Sequence, residues 1–156
     1  MKKLMLDTNV FCRPFDDLSD ESIKNEAIFA EKIMGLSKNE EIEILGSDVL
    51  FAELDLIEDL HKKDIVFNEV KSIVKQTIEV NESVYNISKE LSGIIGDYID
   101  SLHISFAAAS NCNCFVTCDK GIIKTRQKIE KFLTLKGIWL SILTPEEFVK
   151  NGIDIN

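Results

Sequence analysis

The sequence predicts an α/β fold, a three-layer α/β/α sandwich around a mostly parallel sheet of about five short strands. Short apolar runs alternate with longer stretches of helical periodicity along the whole chain. With 156 residues, 45% of them hydrophobic, the chain has the size of a single domain, which we expect to span residues 1–156. Short strands separated by helices favour a parallel sheet with helices on both faces.

Five segments have the composition of buried strands. Each is apolar, rich in β-branched residues and too short to be a typical helix. In chain order they cover residues 3–6, 42–45, 77–80, 115–117 and 138–143.

The first two long helices are predicted from their caps. Ser19 or Asp20 can cap a helix whose apolar positions follow helical spacing as far as the region of Gly35. Ser47 or Asp48 can cap the next helix. Both helices directly follow or precede predicted strands, as the alternation requires.

The remaining helices are predicted from periodicity and from cap residues. They are expected over residues 65–74, from Asn81 or Ser83 to near Gly93, from Gly96 or Asp97 to Ala109, and from Thr144 with Pro145 at the first helical position.

Two acids come just after predicted strands. Asp7 follows Leu4-Met5-Leu6, and Asp119 comes two residues after the strand that ends at Thr117. In open α/β sheets, ligands bind beyond the carboxyl ends of the strands. If the two strands are parallel neighbours, both carboxylates emerge at one edge of the sheet.

Two further acids interrupt helical stretches. Glu53 lies on one helical face with Leu50 and Leu54, where an ionised acid needs solvent, a cation or a metal, and both the exposed and the ligand interpretations stay open. Asp100 runs beside an apolar stripe and can face the sheet edge. Asp97, one turn earlier, is a secondary ligand candidate that also fits a helix cap.

The cysteines are unevenly placed. Cys12 is isolated, whereas Cys112, Cys114 and Cys118 are clustered. A zinc site is one interpretation of the cluster, but it contains no Cys-x-x-Cys pair, and Cys114 lies at a predicted strand. Reduced, buried thiols in a cytoplasmic protein are therefore favoured.

The charge restricts the classes of partner. A formal net charge of -9 argues against nucleic-acid binding through general basicity, but it allows a nuclease whose acids hold divalent cations. Clustered carboxylates suit Mg²⁺ or Mn²⁺, which activate water and neutralise charge at phosphorus. His103 could carry protons, although a lone histidine beside a helical stripe is more often packed and hydrogen-bonded.

Taken together, these motifs resemble the PIN-domain family, most closely its VapC-type toxin ribonucleases. The resemblance covers nearly the whole chain and implies a PIN-like fold. It rests on Leu6-Asp7-Thr8-Asn9, residues 47–53 with Glu53, Asp100-Ser101-Leu102-His103 before an alanine run, and residues 115–120 with Asp119. It departs from the family at Cys118, where such proteins often carry glycine.

The resemblance implies a set of site residues. The catalytic, metal-binding acids would be Asp7, Glu53, Asp100 and Asp119, with Thr8, Asn9 and Thr117 as supporting polar groups. The implied activity is metal-dependent endonucleolytic cleavage of RNA by an activated water. A cognate antitoxin and a homodimer are implied partners.

Substrate contacts are predicted at Arg13 and Lys120, which lie close to Asp7 and Asp119 in the sequence and could approach phosphates. Ordinary surface charge is the other interpretation of both residues.

Two alternative functions stay open. One is a catalytically weak PIN-fold module that binds RNA or protein; the other is a small-molecule phosphohydrolase, disfavoured because Asn9 stands where an aspartyl-phosphate enzyme would carry a second Asp.

Overall fold

A computed structural model of the chain describes residues 1–151 and contains a five-stranded, wholly parallel sheet with the order β3-β2-β1-β4-β5. Residues 152–156 of the predicted domain lie outside the described part. The strands are β1 (Lys2–Leu6), β2 (Ile42–Ser47), β3 (Thr77–Ile78), β4 (Cys114–Val116) and β5 (Ser141–Leu143). All five predicted strands are present, with shifted ends.

Helices cover both faces of this sheet. They are α1 (Thr8–Cys12), which runs into a 3-10 turn (Arg13–Phe15), α2 (Glu21–Lys38), α3 (Asp48–Asp55), α4 (Leu60–Ile73), α5 (Glu82–Ile95), α6 (Tyr98–Ala109), α7 (Lys120–Leu135) and α8 (Pro145–Lys150). Between residues 1 and 151, no helix has both the length and the apolarity needed to cross a membrane.

The hydrogen bonds of the side chains show which of the alternative residues caps each predicted helix. Asp20, Ser47, Asn81 and Asp97 each accept a backbone N–H of the first turn, and Thr144 forms a capping box with Glu147.

Three boundaries differ from the prediction. Helix α2 continues past Gly35 to Lys38, because the backbone at Gly35 stays helical. Helix α4 begins earlier than predicted, since the Asp59 carboxylate accepts the Lys62 amide as a cap. Helix α5 reaches Ile95 and ends at Gly96, whose φ of 81° is left-handed.

Two hydrophobic cores lie on opposite faces of the sheet, because side chains alternate along each strand. Leu4 and Leu6 of β1 face the core formed mainly by α1, α2, α3, α4 and α8. Met5 faces the core formed mainly by α5, α6 and α7. This arrangement is the predicted three-layer α/β/α sandwich.

The clustered cysteines are divided between these cores. Cys114 and Cys118 pack in the first core, and Cys112 packs in the second. All four cysteines are free thiols, and these three are buried. Their division between two faces of the sheet favours the buried-thiol interpretation over a shared zinc site.

Strand β1 occupies the centre of the sheet, with β2 on one side and β4 on the other. The chain adds β2 and β3 in one direction and returns to add β4 and β5 in the other. The point between β1 and β4 is therefore the topological switch point, where open α/β sheets bind ligands. Asp7 lies there, and its amide donates to the Val116 carbonyl over 2.9 Å.

Candidate active site

Asp7 is held at the carboxyl end of β1 with only 5% of its surface exposed. Its Oδ2 accepts hydrogen bonds from Thr117 Oγ1 at 2.7 Å and from Asn9 Nδ2 at 3.2 Å. Its Oδ1 faces His103 Nε2 at 3.8 Å. Burial raises the pKa of Asp7, although the charge of His103 and the bond from Thr117 oppose that rise.

Glu53 reaches the same place from the C-terminal half of α3. Its Oε1 accepts a hydrogen bond from Thr8 Oγ1 at 2.7 Å and bonds His103 Nε2. The bond to His103 lowers the pKa of Glu53 more than partial burial raises it. The side chain is 34% exposed, so this carboxylate is both paired and accessible to solvent.

His103 completes this group from α6, and its side chain is only 3% exposed. Burial alone would lower its pKa, but the bond to Glu53 and the charges of Asp7, Glu53 and Asp100 outweigh it, so the pKa is raised. The sequence predicted a packed, hydrogen-bonded histidine, and this is confirmed. The sequence did not predict that its partners would be two of the candidate ligands. The sequence contained one clue to this contact. His103 lies three residues after the candidate ligand Asp100 and therefore on the same helical face.

Asp7, Glu53 and His103 form a group whose possible ligand atoms all lie within 4.8 Å of one another. It is the only such group of acidic, histidine or cysteine side chains in residues 1–151. Two carboxylates provide the oxygen ligands that divalent cations prefer, and the imidazole adds a nitrogen. The group therefore fits a divalent cation.

Asp100 lies at the border of this group, in the first turn of α6. Burial raises its pKa to about 7, and the negative charges of Asp97, Asp119 and Asp7 add to that effect. Asp97, Asp119 and Asp7 therefore lie near enough to Asp100 for their negative charges to act on it. Acids gathered in this way are found at many catalytic and metal sites.

Asp119 and Asp97 both act as helix caps. Asp119 Oδ1 accepts the Ile122 amide at 2.9 Å at the start of α7. Asp97 Oδ1 accepts the Asp100 amide at 3.0 Å at the start of α6. The structure thus brings Asp7 and Glu53 together directly and places Asp100 and Asp119 around them.

The three predicted supporting residues each hydrogen-bond a candidate acid. Thr8 bonds Glu53, whereas Asn9 and Thr117 bond Asp7. Asn9 also accepts the Cys118 amide at 3.1 Å, so it ties the segment after β1 to the segment after β4.

The two predicted substrate contacts have different surroundings. Arg13 donates to Glu26 Oε2 at 2.7 Å and to Asp16 Oδ2 at 2.9 Å, so its guanidinium already has two acidic partners. Although burial opposes the effect, these bonds raise the pKa of Arg13. Lys120 is exposed in the first turn of α7, beside Asp119.

One solved structure that matches the fold is VapBC2 from Rickettsia felis bound to a DNA fragment from its promoter. The sequences are 19% identical, the match covers 90% of this chain and 98% of that chain, and the TM-score is 0.54. No protein-family model and no curated protein matches the chain. The structural likeness shows a VapC-like PIN fold.

Proposed function

We propose that this chain, with its VapC-like PIN fold, is a metal-dependent endoribonuclease that hydrolyses RNA phosphodiester bonds through an activated water. The observation that supports the proposal most strongly is the convergence of Asp7, Glu53 and His103 within 4.8 Å at the switch point of the sheet. Asp100 and Asp119 are proposed as further catalytic, metal-binding acids around this group. We propose Mg²⁺ or Mn²⁺ as the cofactor because most of these ligand atoms are carboxylate oxygens.

The side chains around Asp7 have a positioning function in this proposal. Thr117 and Asn9 hold Asp7 Oδ2, which leaves Oδ1 directed toward the centre of the group. Thr8 and His103 hold Glu53 Oε1 in the same way. When bound, the cation supplies charge neutralisation at the phosphate and a water activated for attack.

The likeness in fold supports a proposal about partners. VapBC2 was solved on its promoter DNA, and we extend this to the proposal that the present chain is a toxin with a cognate antitoxin. We also propose RNA as substrate, a homodimer as the assembly and the cytoplasm as the location. Lys120 is proposed to contact substrate phosphate; Arg13 would act there only in addition to its bonds with Asp16 and Glu26.

The test is RNA cleavage by the purified protein in Mg²⁺, in Mn²⁺ and in EDTA. We expect cleavage only with metal, and Asp7→Asn should lower the rate at least about a hundredfold because an amide is a poor ligand for a hard cation. The matched control is Asp55→Asn, an exposed acid on the same helix as Glu53, which should retain activity. Cleavage in EDTA, or full activity of Asp7→Asn, would contradict the proposed mechanism.

One observation favours a second candidate, a PIN-fold module that binds RNA or protein with little hydrolysis. The His103 imidazole hydrogen-bonds Glu53 Oε1, which is an oxygen that a cation would also need. For this candidate, folded protein would bind RNA yet cleave none of several RNAs at saturating Mg²⁺ or Mn²⁺. Metal-dependent cleavage that Asp7→Asn removes would exclude it.

A further inference from the structure

A cavity of about 390 Å³ opens between the N-terminal turns of α2, α7 and α8. We call it the α2–α7–α8 groove. Ile123, Pro145 and Cys118 supply apolar walls, while Asn25 and Lys124 provide polar groups. Its volume lies in the range of about 300 to 1,000 Å³ that is common for small-ligand sites.

The groove adjoins a second cavity that is bounded by one of the candidate acids. A neighbouring cavity shares Ser22, Glu26, Cys118 and Lys120 with the groove, and it is also bounded by Asp119. An elongated ligand can therefore extend from Asp119 across Cys118 into the groove. A single small molecule confined to the groove would leave this connection unused.

Two acids that line the groove are held in ion pairs, whereas, among the described residues, its two lysines are not. Glu26 is paired with Arg13, and Glu146 is paired with Lys150. Lys120 and Lys124 lie one helical turn apart on α7, and neither has an acidic oxygen within 4.0 Å among residues 1–151. Two cations at the rim suit a phosphate backbone rather than a neutral ligand.

We propose that the α2–α7–α8 groove binds the nucleotide next to the cleaved phosphate of single-stranded RNA. Its base lies against Ile123 and Pro145, and Lys124 contacts its phosphate. An unstacked base can occupy such a pocket because proteins read single-stranded RNA by packing bases on flat or apolar side chains. This inference rests on the proposed ribonuclease function, since the cleaved bond is placed at the acidic site.

Asn25 is assigned as the residue that selects the base. Its amide carries both donors and an acceptor, as base edges do, and it lies on the exposed face of α2 where it lines the groove. Glu146, which also lines the groove, accepts a hydrogen bond from Lys150 Nζ at 2.7 Å. The exposed Asn25 amide can therefore hydrogen-bond a base in the groove.

The binding test uses the wild-type protein in EDTA, so that cleavage does not interfere. Backbone NMR shifts are followed while each of the four ribonucleoside 5′-monophosphates, and then four homopolymeric RNA tetranucleotides, are added. We expect shifts centred on Asn25, Ile123 and Lys124, with tetranucleotides bound at least about tenfold more tightly than monophosphates because only they place several phosphates along Lys120 and Lys124.

Matched charge reversals on α7 separate a specific site from general electrostatics. Lys124→Glu should weaken tetranucleotide binding at least about tenfold, since it removes a charged phosphate contact. Lys128→Glu, also exposed on α7 but outside the groove, should change it little. Asn25→Ala should change the order of affinity among the four bases and, in the cleavage assay, the base found beside the cut.

Several results would overturn the assignment. These are shifts away from the groove, no binding of any tetranucleotide, or equal weakening by Lys124→Glu and Lys128→Glu. Equal affinity for monophosphates and tetranucleotides would instead identify a free nucleotide as the ligand and would contradict the RNA assignment. Because binding is measured without metal, absence of RNA cleavage would contradict the proposed function while leaving the groove measurement valid.

Discussion

Thr117 connects two of the candidate acids through one hydroxyl. The hydroxyl donates to Asp7 Oδ2 at 2.7 Å and accepts the Asp119 amide at 3.0 Å. Thr117 is fully buried, so its only function visible in the structure is to position these neighbours. Such contacts around a metal site fix the direction in which the ligand oxygens point.

We therefore expect Thr117→Val to lower metal affinity about 10- to 100-fold while the protein stays folded, because valine keeps the volume and loses the hydroxyl. Titration of Mn²⁺, followed by thermal shift, measures the affinity directly. Thr125→Val is the control, since that hydroxyl bonds only carbonyls of its own helix. Equal metal affinity in both variants would show that Thr117 does not orient a ligand.

The pKa of Asp100 predicts a pH dependence of stability in the metal-free protein. Burial, with the charges of nearby acids, raises this pKa from 3.8 to about 7, so the folded state binds a proton that the unfolded state releases. Stability should therefore fall as the pH rises between these two values. Asp100→Asn removes the charge, so the variant should not lose stability in this way as the pH rises.

The corresponding experiment compares melting temperatures in EDTA from pH 4 to pH 8. The stability of Asp100→Asn relative to wild type should increase up to a pH of about 7 and then level off. Asp64→Asn, at an exposed acid of α4, provides the control for loss of a surface charge. If the difference in stability between Asp100→Asn and wild type did not change with pH, the pKa of Asp100 would not be raised in the folded state.

For individual residues, the sequence predicted positions along the chain better than it predicted hydrogen-bond partners. Asp7 was placed correctly after β1 because strand ends can be read from local pattern. The bond between Glu53 and His103 joins residues 50 apart, and the pairing of Arg13 with Glu26 depends on the turn after α1. Local periodicity contains no information about either contact.

At the scale of elements, Gly46 allows β2 to lie close to the end of α4. A Cβ atom at this position would lie 2.7 Å from Val74 Cγ1 and 3.3 Å from Thr77 Oγ1. Valine has little rotamer freedom, so it cannot move aside cheaply. Gly35, in contrast, lies within α2 with nothing within 4 Å of the added atom.

These two glycines provide a matched pair of substitutions. Gly46→Ala should destabilise the protein by about 1–3 kcal/mol through overpacking. Gly35→Ala should stabilise it by up to about 1 kcal/mol because alanine favours the helix. Urea unfolding measures both changes in the free energy of unfolding, and a stabilising Gly46→Ala would contradict the close approach of β2 and α4.

The differences at helix ends have a common cause, which is competition between neighbouring signals. Asp59 lies outside the helix predicted over residues 65–74, but its carboxylate caps α4 and starts that helix earlier. The short α1 was not predicted, because Thr8–Cys12 contains less than two turns of periodicity. Strong caps such as Thr144 were predicted correctly, since both the cap and the following proline act locally.

Metal binding should stabilise the fold, because a cation that binds only the folded state shifts the unfolding equilibrium. At a metal concentration one hundred times its Kd, the gain is about 2.7 kcal/mol. For a domain of this size, this corresponds to a rise in Tm of roughly 5–10 °C. Mg²⁺ and Mn²⁺ should raise the Tm of wild type but not of Asp7→Asn, as measured by differential scanning calorimetry.

An equal rise in Tm for both proteins would mean that the cation binds elsewhere on this acidic surface. Ca²⁺ is a useful third cation, because it needs more oxygen ligands in a larger cavity. A weaker effect of Ca²⁺ would be consistent with the small group formed by Asp7, Glu53 and His103.

The overall architecture could be predicted because alternating strands and helices leave few arrangements in which every apolar face is buried. The same alternation predicted at which edge of the sheet the candidate site lies. The groove between α2, α7 and α8 could not be predicted, since it depends on how three distant helix starts pack together.

The hydrogen bond between Thr117 and Asp7 joins residues that are 110 positions apart. During synthesis, Asp7, Thr8 and Asn9 leave the ribosome long before the segment that orients Asp7. A nascent chain that has not yet reached β4 lacks this bond, the Cys118 amide that binds Asn9 and the Asp119 carboxylate. The order of the chain thus delays assembly of the candidate site until most of the chain has been translated, and the proposed nuclease activity would be delayed with it.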